Sequence, residues 1–105
     1  MDNSSKIYLI KNAEESYYKI GVGKNPKQRL KQLQTGSPAG LILIETFNTE
    51  HAYKIEKALH RRYSHLKKEG EWFNFSIVEQ CEFLNICKTI ENSIKTLVES
   101  GNVFI

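Results

Sequence analysis

The order strand, strand, helix, strand, helix, helix predicts an α+β domain, with a small, mostly antiparallel three-stranded sheet flanked by helices. Three observations predict it. Short apolar or alternating segments at Lys6 to Ile10, Tyr17 to Gly21 and Leu41 to Phe47 have strand character. Two longer segments, about Thr49 to Tyr63 and Ser76 to Ser100, carry apolar residues three and four apart. Turn-forming residues separate them, and the 105-residue length suits one core.

The first strand and Tyr17 to Gly21 are joined by the polar turn Lys11 to Ser16, which favours an antiparallel hairpin. Alternation puts Tyr8 with Ile10 on one face and Tyr17 with Lys19 and Gly21 on one face, so two tyrosines and a lysine can lie on adjacent strands. After the Val22-Gly23-Lys24 turn, Asn25 is a helix cap, Pro26 stands at the first helical position and Gln28 at the third. Losing that cap costs about 1 kcal/mol. Leu30 and Leu33 point to the core, and Gln34 to Gly40 is a turn-rich connector. The continuous apolar run Leu41 to Ile44 predicts a central strand covered on both faces.

The next helix is expected from Asn48 or Thr49 to about Tyr63, with Ala52, Ile55, Leu59 and Tyr63 as its core stripe. Glu56 and His60 form a row beside that stripe, where core gives way to a cleft or to solvent. Ser64 to Gly70 reads as a basic linker. Trp72 and Phe73 read as residues that lock the following loop against the core, rather than as stacking partners for bases. Ser76 with Glu79 forms a capping box for the last helix, whose predicted stripe is Ile77, Cys81, Leu84, Cys87, Ile90, Ile94 and Leu97. Cys81 and Cys87 are therefore expected as buried free thiols in a reducing compartment. The tail Val103-Phe104-Ile105 is expected to fold back onto the core, or to dock a protein partner together with the last helix.

The whole chain, 1–105, is expected to be a single domain: a motif-bearing core 6–75, a supporting helix 76–100 and an apolar tail 101–105. Charge is unevenly distributed. Through Phe75 there are 13 Lys or Arg against 8 Asp or Glu, and the remainder is net negative. Between Ser16 and Ile44 there is no carboxylate, while Lys19, Lys24, Lys27, Arg29 and Lys31 are cationic. That surface favours phosphate-rich partners without separating DNA from RNA or from an acidic protein. Neither a signal-peptide core nor a membrane-length apolar run is present, which predicts a soluble intracellular protein of the cytoplasm, nucleoid or nucleus, of a kind that viruses and mobile elements also encode.

Taken together the motifs resemble the GIY-YIG endonuclease superfamily, in its branch of small proteins related to the T5 phage Orf172 and Mug113 families. The first motif stands here as Lys6-Ile7-Tyr8 and the second as Lys19-Ile20-Gly21; Arg29 follows Lys19 by 10 positions. The likeness continues through Gln32-Leu33-Gln34-Thr35-Gly36-Ser37-Pro38, Ile55-Glu56-Lys57-Ala58-Leu59-His60 and Gly70-Glu71-Trp72-Phe73.

The resemblance implies metal-assisted hydrolysis of a DNA phosphodiester, with RNA left open as a substrate. It gives Tyr8 the role of general base or positioner of the attacking water, a role that needs nearby cations to favour the phenolate, and Lys19 is suited to supply one. Arg29 would hold the scissile phosphate, and Glu56 would bind one Mg²⁺ or Mn²⁺. His60 either orients a phosphate, shuttles a proton or bonds Glu56 and orders the helix. Lys24, Lys27, Lys31, Ser37 and Asn74 are the further substrate contacts, Asn74 as the nearest candidate for the superfamily's distal asparagine. Two departures stand out. Lys6 replaces the glycine of the first motif, and Lys19 replaces the second tyrosine, for which only Tyr17 could substitute without a register shift. The alternative reading is a nucleic-acid-binding module that kept the basic cleft and lost efficient chemistry.

Overall fold

The computed structural model describes residues 5–101. In chain order the elements are β1 (Lys6–Asn12), β2 (Tyr17–Gly23), α1 (Pro26–Thr35), β3 (Leu41–Asn48), α2 (Ala52–Arg62), a single 3₁₀ turn (Ser64–Leu66), β4 (Lys67–Glu69), β5 (Trp72–Asn74) and α3 (Ile77–Glu99). The fold is α+β as expected, but the sheet has five strands rather than three, in the order β3-β1-β2-β5-β4, and every neighbouring pair is antiparallel.

The two additional strands come from the segment read as a basic linker. Glu69 pairs with Trp72, so Gly70 and Glu71 make a two-residue hairpin loop, with Gly70 at φ 57°. That left-handed backbone at the first loop position is where such hairpins take glycine. Each arm is only three residues long, too short for alternation to register in the sequence, and β5 is held by pairing Tyr17 to Lys19 against Asn74 to Trp72.

A second correction concerns β3. Among the described residues it pairs only with β1 and lies at the sheet edge, half-buried, with Ile42 exposed; β1 and β2 are the buried strands. Its apolar run reflects cover from α1 on one side and from α3 on the other, not a central place in the sheet.

One face of the sheet carries the main core. Ile7 and Leu9 of β1, Tyr18 and Ile20 of β2 and Phe73 of β5 meet Ile55 and Leu59 of α2 and Phe83 and Cys87 of α3. The opposite face, with Tyr8, Ile10, Tyr17, Lys19 and Trp72, lies under α1. The Asn25 side chain accepts the N–H of Gln28, and Pro26 occupies the first turn as its fixed φ allows. The Ser76–Glu79 capping box is fully formed at the start of α3. The α2 helix starts at Ala52, three or four residues later than expected, because Thr49 and His51 form a side-chain turn ahead of it.

Along α3 the buried residues are Phe83, Cys87, Glu91 and Ile94, whereas Ile77, Cys81, Leu84 and Leu97 are exposed. Twenty-three residues make a rod about 34 Å long, so its ends overhang the core and only its middle is covered. Cys81 is thus not the buried thiol that its spacing suggested. Glu91 takes the buried position a sequence reading gives to an apolar residue, and Lys88 and Lys95 hold its carboxylate at 3.1 and 3.5 Å. The Val103-Phe104-Ile105 tail lies outside the described residues.

Candidate functional site

The site is built on β2 where the β5 hairpin ends. Register sets Tyr8 of β1 opposite Gly21 of β2, and the phenol lies across the glycine: a Cβ at Gly21 would overlap the Tyr8 ring and hydroxyl. The glycine of the Lys19-Ile20-Gly21 motif is therefore a seat for the tyrosine of the first motif.

Ile20, between them, is fixed at both backbone groups. Its N–H donates to the Glu71 carbonyl at 3.2 Å, and its own carbonyl accepts from Nε2 of His60 at 3.1 Å. A carbonyl can only accept, so Nε2 carries a proton, and Nδ1 is the ring nitrogen that the sheet does not engage. The imidazole is also steadied edge-on by Phe73, with ring centroids 5.0 Å apart. Its hydrogen bond goes to the sheet rather than to Glu56.

Glu56 and His60 are one turn apart on α2, and the hairpin loop brings Glu71 to them. Each of the three offers one ligand atom, and these atoms lie within 4.8 Å of one another. Burial raises the Glu56 carboxyl above its ordinary value, and the charge of Glu71 adds to the effect, against the opposing pull of His60 and Lys19. Two carboxylates and an imidazole brought this close are a donor set for a divalent cation.

Two fixed cations border the set. Lys19, 7% exposed, bonds Glu71 at 2.6 Å and lies 5.9 Å from the centre of the Trp72 ring. Arg29 reaches Gln32 at 3.4 Å on the exposed side of α1 and acts on Tyr8 by hydrogen bond and charge. Burial outweighs Arg29 and pushes the Tyr8 hydroxyl above the usual phenol value, with Glu71 and Glu56 acting in the same direction as burial. The phenolate expected from the sequence is thus disfavoured, because Lys19 is engaged by Glu71 and Tyr8 is only 3% exposed.

Tyr8, Lys19, Arg29, Glu56 and His60 therefore come together, joined by Glu71, which the sequence reading had placed in a motif but not in the site. The one local mark of its place is Gly70, at the left-handed turn position, since arms of three residues leave no alternation to reveal the hairpin. Other expected site residues lie elsewhere. Tyr17 is two positions along β2, beside Lys68 and facing a groove that Ser37 also lines. The Ser37 hydroxyl donates to the Ala39 carbonyl at 3.0 Å, a local turn bond. Asn74, exposed, pairs with Tyr17 rather than reaching the cluster. Lys24 is exposed in the turn before α1, and Lys27 and Lys31 are exposed about 160° around α1 from Arg29. Trp72 and Phe73 divide: Phe73 is fully buried in the core as expected, whereas Trp72 opens on the groove.

Fold and site together define a small α+β domain with a His/Glu cluster capable of coordinating a divalent metal where the β4–β5 hairpin loop meets β2, flanked by arginine and lysine. Residues 5–98 match the family model described as the T5orf172 domain, and the chain belongs to that family, part of the GIY-YIG-related Orf172 branch. No curated protein and no solved structure matches it. Among the described residues no helix is long and apolar enough to cross a membrane.

Proposed function

We propose that this chain is a divalent-metal-dependent endonuclease that hydrolyses DNA phosphodiester bonds. The observation that carries the reading is one cluster holding a carboxylate–imidazole donor set, a guanidinium and a buried phenol, within a family associated with nucleases. The donor set fits a hard divalent ion, Mg²⁺ or Mn²⁺, and the imidazole nitrogen tilts the preference toward Mn²⁺. Such an ion, when bound, stabilises negative charge on the phosphate and the departing oxygen.

Glu56 and Glu71 hold the ion's site, with His60 contributing through Nδ1 because Nε2 is engaged by Ile20. Arg29 binds the nonbridging phosphate oxygens through its planar fork and offsets the charge that grows on them. Tyr8 acts as a neutral hydroxyl: seated on Gly21 and kept protonated by burial, it positions the attacking water rather than serving as a phenolate base. Lys19 neutralises Glu71 and fixes the hairpin loop, the part it takes in place of a second tyrosine.

Purified protein incubated with supercoiled, linear and branched DNA in Mg²⁺ or Mn²⁺ tests the reading. Cleavage by the wild type and its loss in Arg29→Ala and Glu56→Ala are expected; no cleavage of any substrate, or cleavage unchanged in both variants, overturns it.

The Lys19–Glu71 pair also favours a second reading, a nucleic-acid-binding module without turnover, since an ammonium already balances one of the carboxylates. It predicts salt-sensitive binding that survives both Glu56→Ala and removal of divalent metal. Affinity independent of salt counts against it. A protein partner would meet the apolar residues that α3 exposes, Ile77, Val78 and Leu84 at one end and Leu97 and Val98 at the other.

A further inference from the structure

Next to the cluster, on the α1 side of the sheet, lies a groove of about 390 Å³ that the chemistry above does not use. Its walls include Tyr17 and Trp72, with Leu33 of α1 and Leu41 of β3 across from them and Lys68 at its margin. We propose that this groove takes one unpaired nucleobase of the substrate strand, so that the preferred DNA is single-stranded, branched or frayed beside the cleavage point. The inference rests on the nucleic-acid reading above and deepens it.

The register makes the two aromatics partners. Tyr17 pairs with Asn74 and Lys19 with Trp72, so Tyr17 and Trp72 are diagonal neighbours on one face, within reach of each other's ring edges. Neither is consumed by the core. Phe73, on the opposite face, anchors β5, and both Tyr17 and Trp72 remain half-buried. Exposed Lys68 lies 5.6 Å from the Tyr17 centroid and is the cation open to a phosphate, whereas Lys19, 5.9 Å from that of Trp72, is already paired with Glu71. Aromatic faces beside ammonium groups are what a single strand needs, because every base has a π-face and every linkage a phosphate. The volume falls in the range of pockets that take small planar ligands.

Continuity with the cluster fixes which base would enter. Trp72 directly follows Glu71, and Tyr17 is about 6.8 Å along β2 from Lys19. A base in the groove therefore belongs to a nucleotide flanking the phosphate held at Arg29. A base paired within a duplex is stacked and cannot enter without being flipped out. Of the polar groups at hand, Asn12 Oδ1 accepts from the Glu14 N–H at 2.9 Å, the Ser37 hydroxyl is bonded to Ala39, and the Glu69 carboxylate, exposed at the rim, is a single acceptor for an exocyclic amine. Stacking thus dominates over base-edge readout, and the groove selects unpaired structure rather than sequence.

Trp72 is the chain's only tryptophan, so its emission reports the groove directly. The full chain, in chelator to prevent cleavage, is titrated with end-labelled oligothymidine and with an abasic strand of the same length, reading tryptophan emission and label anisotropy together. Expected are quenching by oligothymidine only, and binding of the abasic strand weaker by roughly five- to 150-fold, the range for loss of one stacked base. Tyr17→Ala, verified as folded by circular dichroism, should lose a similar factor, and Tyr17→Phe should regain it. Binding with unchanged emission, or equal affinity for the two strands, overturns the groove assignment while leaving the nucleic-acid reading intact. No binding of either strand or of duplex DNA overturns both.

Discussion

Glu56, partly buried, and Glu91, buried, stand on helices that pack on the same core, and their surroundings are opposite. Glu91 receives hydrogen bonds from Thr49 and Lys88 and the charges of Lys88 and Lys95, which together outweigh burial and hold its carboxyl below the ordinary carboxylate value. Glu56 faces another carboxylate, Glu71, and burial with that repulsion raises it. A buried charge whose partners are all supplied by the fold is a structural device. One set against a like charge that Lys19 only partly offsets, with an imidazole alongside, is a candidate seat for a further cation.

The contrast can be broken most decisively by exchanging the two carboxylates for amides. Glu56→Gln should lower DNA cleavage by about 10²- to 10³-fold, the scale of losing one group that stabilises transition-state charge, while the thermal midpoint holds or rises because the repulsion with Glu71 is relieved. A large loss of stability without loss of cleavage would reverse the assignment. Gly21→Ala is the next largest change. The added methyl displaces the Tyr8 phenol, costs about 1–3 kcal/mol by overpacking and reduces turnover with little change in DNA affinity, as a melting curve and a binding isotherm would show.

Glu91→Gln is expected to cost about 1–3 kcal/mol in chemical denaturation and to leave cleavage rates unchanged. Its pH dependence has a definite sign. A carboxyl depressed in the folded state contributes stability that is present above its unfolded value, near 4.5, and lost as the pH falls through the folded value. The wild type should therefore lose stability on acidification more steeply than Glu91→Gln. The smallest effect concerns the thiols of α3. Burial, with the nearby charge of Glu91, pushes Cys87 up to about 12, whereas Cys81 is exposed, so a thiol reagent at neutral pH should label one cysteine of the native protein and both after denaturation.

These two glutamates also mark what the sequence could disclose. The Glu56–His60 row was legible because i and i+4 fall on one helix face, and Arg29 because a capped helix start fixes where its fourth residue stands. Glu71 was not. Its place depends on a hairpin whose arms are three residues each, below the length at which alternation means anything, and on pairing with β2 from far along the chain. The missing strands and the missing ligand are one omission, since the Gly70 turn creates both. The stripe of α3 was misread for a related reason: periodicity indicates a helix but not which arc meets the core, and Phe83 with Glu91 defines an arc that an apolar pattern passes over. Lys19 was visible as a departure from the second motif, but its partner was not, so its charge was assigned to Tyr8 when the fold gives it to Glu71.

The claim that joins these observations is that Glu56, His60 and Glu71 hold one divalent ion. Calorimetric titration of Mn²⁺ into the metal-free protein tests it without dependence on turnover. One ion bound per chain, with binding abolished in Glu56→Gln and weakened at least tenfold in Glu71→Gln, is the predicted result. No heat of binding in the wild type, or the same isotherm in all three proteins, would contradict it.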